Sequence, residues 1–163
     1  MRSTNPLPLP AADPAWRIGI VCSSFYKEEM TALTRSAKEA LMEAGIPEGN
    51  VTVYEAAGSF EVPLIGTAVL SEEKADALIG LGIIVEGDTH HAELLAAQAA
   101  HGIMNVQLRF QAPFAFEILY VDALKDAQAR LGKGREAAGA VLSSLALLKE
   151  IRTKTSRGSW GLR

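Results

Sequence analysis

Residues 77–91 read ALIGLGIIVEGDTHH: nine apolar or glycine positions, then two acids around a glycine, a threonine and two adjacent histidines. The first nine do not alternate with polar residues, which is how a strand buried on both faces reads. At Glu86 the character changes, and the following alanine-rich segment AELLAAQAAHGIM (92–104) reads as a helix. A buried strand running through a polar turn into a helix is one half of a βαβ unit, and the same pattern recurs on both sides. RIGIVCS (17–23) is a second apolar strand, and Lys27 to Ala44 carries apolar residues at three- and four-residue intervals until Gly45 and Pro47. NVTVYEAAG (50–58) predicts a strand and Glu61 to Lys74 a helix with Pro63 in its first turn. The helix that takes in the histidines spans about 89–108, and APFAFEILYV (112–121) supplies a fourth strand. Two helices follow, at about 122–131 and 134–152, with a Gly-Lys-Gly break between them. Such alternation predicts right-handed crossovers and a mostly parallel sheet covered by helices, a single-domain α/β protein.

The flanks differ from this body. Residues 1–15 hold four of the seven prolines and predict an extended arm without its own core. The stretch RTKTSRGSWGLR (152–163) has four basic residues and no acid, and reads as a loose basic tail with Trp160 exposed. The expected organisation is therefore an arm over 1–15, an α/β domain over 16–152 and a tail over 153–163. A net charge of −3 gives no attraction to nucleic acid or to an acidic membrane surface. The run Ala77 to Val85 is about half the length that a spanning helix requires. The single Cys22 forms no internal disulfide, and a cytoplasmic location is expected.

In open parallel sheets, ligands collect beyond the carboxyl ends of the strands. Those ends are Ser23 to Tyr26, Gly58 to Glu61 and Gly87 to His91. A metal is not expected: His90 and His101, eleven residues apart on one helix, are separated by roughly 16 Å, too far for one ion. The Gly87-Asp88-Thr89 turn at a helix start offers backbone N–H groups and a hydroxyl to an anion. Equally, Asp88 or Thr89 fits a simple helix cap. Phe25 and Phe60 fit a core as well as a ligand platform, and Glu61 fits a first-turn acid that favours the helix dipole.

Taken together, GSFEVP (58–63), GIIVEGDTHH (82–91) and FEILYVDALKDAQARLGKG (116–134), following RIGIVCSSF (17–25), resemble the lumazine synthase family. The resemblance runs colinearly from about Trp16 to about Ile151. It implies a flavodoxin-like three-layer sandwich, with a four-stranded sheet flanked by about five helices. It also implies condensation of 5-amino-6-(D-ribitylamino)uracil with 3,4-dihydroxy-2-butanone 4-phosphate, without cofactor or metal. By the same resemblance Phe25 stacks on the pyrimidine, while Gly58, Ser59, Phe60 and Glu61 hold pyrimidine and ribityl groups. Ile83, Ile84 and Val85 line the slot. Gly87, Asp88 and Thr89 bind phosphate with Arg130, and Lys133 lies nearby. His91 is the implied catalytic acid/base, a role suited to imidazole, which exchanges protons in both directions near neutral pH.

Phe116 matches an aromatic lent by a neighbouring subunit, which implies a homo-oligomer, a pentamer or an assembly of pentamers, with sites at subunit interfaces; the resemblance also offers riboflavin synthase as a further partner. Three positions depart from the family pattern: Glu86 stands where a basic residue is usual, Ala92 where an aromatic is usual, and Tyr26 where a smaller polar residue is common. The alternative is a non-catalytic relative that binds flavin or lumazine, or that forms a shell.

Overall fold

The computed structural model describes residues 8–157; Trp160, the end of the basic tail and the first seven residues of the arm lie outside them. Four strands form one sheet: β1 (Ile18–Ser23), β2 (Val51–Ala56), β3 (Ala77–Val85) and β4 (Phe114–Val121). Their order is β2-β1-β3-β4, and every neighbouring pair is parallel. Five α-helices connect or follow them among the described residues: α1 (Lys27–Glu43), α2 (Val62–Ser71), α3 (His91–Phe110), α4 (Leu124–Gln128) and α5 (Lys133–Arg157).

The three layers follow from side-chain alternation in the strands. On one face Ile18, Ile20, Ile79, Leu81 and Leu119 meet α1 and α5 through residues such as Leu33, Leu41 and Leu142. On the other, Val21, Leu78, Phe114 and Ile118 meet α2 and α3 through Val62, Ala99 and Ile103. The two inner strands need apolar residues on both faces, which is why β1 and β3 carry no polar alternation. Both β1 and the first eight residues of β3 are buried throughout.

Element ends differ from the sequence reading in ways that have local causes. The segment after β2 opens with a 3₁₀ turn over Ser59–Glu61 before α2 begins at Val62. Helix α2 stops at Ser71, and Glu73 then takes a left-handed conformation with φ 51°. Strand β4 starts at Phe114 rather than residue 112, because Pro113 has no N–H for the ladder. Its carbonyl still accepts from the Leu78 N–H at 2.8 Å. The short α4 covers less than the expected 122–131, and α5 runs on to Arg157 instead of ending at 152. The described part of the arm lies on the body: Leu9, Ala12 and Trp16 pack against the α1–α5 core. Asp13 also pairs with Lys149 at 2.7 Å.

Candidate active site

All four strands point the same way, so the segments after β1, β2 and β3 emerge at one rim of the sheet. After β1 the chain turns sharply: Tyr26 adopts φ 56° and caps α1 with its carbonyl, which accepts from Met30 N–H at 2.8 Å. That turn leaves Phe25 62% exposed. Two bonds lash it to the β2 loop, Ser24 N–H to Ala56 O at 3.0 Å and Ser24 Oγ to Ala57 O at 2.7 Å. The buried Ser23 hydroxyl accepts from Phe25 N–H at 3.3 Å. The sequence places Ser23 and Ser24 at a ligand-facing strand end without giving either a role. The only available signal was two hydroxyls ending a fully apolar strand.

Gly58 is where two of the segments meet. A Cβ placed there would lie 3.1 Å from Glu61 Oε2 and 3.5 Å from Phe25 Cε2. Phe25 and Glu61 therefore flank the same small space, and glycine keeps it open. Ser59 turns inward and is buried, with its Oγ against the bare Cα of Gly82 in β3. Phe60 points outward and is 56% exposed, so it is not a core residue in the protomer.

The β3 turn brings Gly87, Asp88 and Thr89 to the same rim, all exposed, followed by His90 and His91. The N-cap of α3 is His90, and no side chain caps the helix. The capping role considered for Asp88 and Thr89 is thus not the one they fill. First-turn N–H groups of a helix need acceptors from elsewhere, and the positive end of the helix dipole lies at the same place. His91 is exposed in the first turn, while His90 Nδ1 lies 3.7 Å from Glu93 Oε2. Ile83 and Ile84 are buried in opposite cores, so they offer a ligand their main chain rather than their side chains. Val85 is half-buried.

The remaining candidates belong to β4 and to the α4–α5 segment that follows it. Phe116 is mid-strand, paired with Gly80 and 43% exposed on the sheet edge. Arg130 follows α4 and donates from Nη1 to Asp126 O at 3.0 Å. Lys133 opens α5 and pairs with Glu136 at 2.6 Å, a bond that raises the Lys133 pKa. Beside them Glu117 of β4 is half-buried, and desolvation pushes its carboxyl up to about 7 despite the attraction of Lys133. Among the described residues no three His, Cys, Asp or Glu side chains cluster as a metal site. No helix there is long and apolar enough to cross a membrane.

A parallel three-layer α/β sandwich with a polar, aromatic-edged rim at its strand ends is the architecture of a small-molecule enzyme. The family model for 6,7-dimethyl-8-ribityllumazine synthase matches residues 15–149. Among curated relatives, the 6,7-dimethyl-8-ribityllumazine synthase of Paracidovorax citrulli is 38% identical over 135 residues, covering 82% of this chain and 88% of the relative. That of Polaromonas is 36% identical over 135 residues, with the same 82% and 88% coverage. That of Xylella fastidiosa is 34% identical over 140 residues, covering 83% and 91%. The chain belongs to the lumazine synthase family.

Proposed function

We propose that the protein acts in riboflavin biosynthesis, condensing 5-amino-6-(D-ribitylamino)uracil with 3,4-dihydroxy-2-butanone 4-phosphate. The products are 6,7-dimethyl-8-ribityllumazine, phosphate and water. The observation that carries this reading is the meeting of Phe25, Gly58 and Glu61 around one space at the strand-end rim, in a chain of this family.

The residue chemistry matches the steps required. Phe25 offers an exposed ring for the pyrimidine, and the Glu61 carboxylate accepts from ribityl hydroxyls. Ser59 and the main chain of 83–85 bound the slot, with Phe60 at its mouth. The N–H groups of Gly87 to Thr89 and the α3 dipole receive the phosphate. His91 moves protons as amine attacks ketone, water leaves, phosphate is eliminated and the ring closes. Holding two substrates together supplies much of the acceleration through effective concentration, so no cofactor is invoked.

Phe116 lies on the free edge of β4, and Arg130 and Lys133 lie on the α4–α5 connection, which is bonded to α1. In the proposed assembly a second copy brings them to the rim, so each pocket is shared between neighbours, in rings of five or assemblies of such rings. A cytoplasmic site of action and a hand-over of product to riboflavin synthase belong to the same proposal. The test mixes purified protein with both substrates and follows lumazine fluorescence and released phosphate. Equimolar appearance of both is expected. Lumazine binding without turnover would instead identify a binding relative.

A further inference from the structure

Glu86 is the last residue before the Gly87–Thr89 turn, and two bonds tie it to the edge strand. Its N–H donates to the Val121 carbonyl at 2.8 Å, and its Oε2 accepts from the Tyr120 hydroxyl. The register sets Ile84 beside Tyr120 and Val85 beside Val121, so Glu86 stands one step beyond the ladder. By strand alternation it shares the sheet face of Ile84 and Tyr120. Tyr120 is 43% exposed, and water alone would satisfy its hydroxyl. The phenol instead engages the carboxylate nearest the turn. An unrestrained carboxylate there repels an incoming dianion, whereas one held on β4 has a fixed place.

We propose that Tyr120 and Glu86 form a positioning pair for the phosphate turn, the phenol restraining a carboxylate that would otherwise compete with phosphate for the turn's N–H groups. This rests on the reaction proposed above. The pair acts on the affinity for the phosphate-bearing substrate and not on the proton transfers at His91. Neither residue needs to touch substrate.

The test compares wild type, Tyr120→Phe, Glu86→Gln and the double variant, by titration with inorganic phosphate and by steady-state kinetics. Tyr120→Phe removes one oxygen and keeps the ring, and matched thermal melts show that folding is intact. Tyr120→Phe is expected to weaken inorganic phosphate and raise KM for the phosphate substrate roughly three- to tenfold, with kcat and KM for the amine within about twofold of wild type. The double variant is expected to match Glu86→Gln and to bind phosphate at least as tightly as wild type, because no charge remains to be restrained. Unchanged phosphate affinity in Tyr120→Phe, or a double variant as weak as the single, overturns the pair. Lumazine formation with Tyr120→Phe unaffected sinks the pair and leaves the reaction standing. Tyr120-dependent phosphate binding without lumazine formation does the reverse. A wild type that neither binds phosphate nor makes lumazine overturns both.

Discussion

His90 and His91 are adjacent yet differently placed. His90 is the helix N-cap and faces Glu93, whereas His91 begins the helical turn beside the anion-receptive N–H groups. Replacing His91 with alanine should lower kcat by about 10²–10⁴ and leave slow turnover from substrate juxtaposition. His90→Ala should stay within about twofold of wild type, since it removes no proton-transfer group. Equal losses in the two variants, read in the same fluorescence assay, would mean the wrong imidazole has been assigned. Gly58 permits a second test at this scale. Gly58→Ala puts a methyl 3.1 Å from Glu61 Oε2 and 3.5 Å from Phe25, so the Glu61 carboxylate must give way while Phe25 is met at ordinary van der Waals contact and the backbone need not move. The expected result is a KM for the amine substrate raised about tenfold, with the thermal midpoint little changed. An unaltered KM would detach Glu61 from the ribityl group.

Among the elements, β4 carries a feature that titrates. Glu117 is pushed from 4.5 to about 7 by desolvation, with Glu136 adding to the rise and Lys133 opposing it. Because the folded state binds this proton more tightly than the unfolded one, its stabilising effect is complete below pH about 4.5. It is lost as pH rises through about 7. Relative to Glu117→Gln, the wild type should therefore lose unfolding free energy between pH 5 and 8. Urea unfolding at fixed protein concentration measures the difference, and parallel curves for the two proteins would refute it. Nothing local in FAFEILYV marks Glu117 as half-buried, and the charges that act on it, Lys133 and Glu136, lie on helix α5. The same holds for Ser59 against Gly82 and Tyr120 against Glu86, which are contacts between segments distant in sequence. What could be read locally was the order of elements. Strands buried on both faces are apolar throughout, and α1 and α3 show their periodicity. The boundaries of α2 and α5 were less legible, because a 3₁₀ turn at Ser59 and continued helix beyond residue 152 leave no strong punctuation in the sequence.

At the scale of the whole molecule, seven exposed apolar residues belong to three segments, while Met42, Val53, Leu147 and Ile151 are exposed on other elements. Phe60 and Leu64 follow β2, and Leu94, Met104 and Leu108 recur along one face of α3, while Phe116 and Tyr120 lie on the free edge of β4. Exposed apolar side chains on these segments suit association, and a head-to-tail contact between two different flanks gives a ring where its rotation closes. Such a ring would complete the rim of one copy with Phe116, Arg130 and Lys133 of the next. Sedimentation should accordingly detect an assembly no smaller than a closed ring.

A pocket shared between copies, as proposed, has a direct kinetic consequence. His91→Ala and Arg130→Ala proteins are each expected to be poorly active at low phosphate-substrate concentration. Co-assembled in equal amounts, they leave about a quarter of the sites with both side chains intact. The measurement is lumazine formation by that mixture: about a quarter of wild-type activity is predicted, and a rate no higher than the mean of the two parents would contradict a site built from two copies.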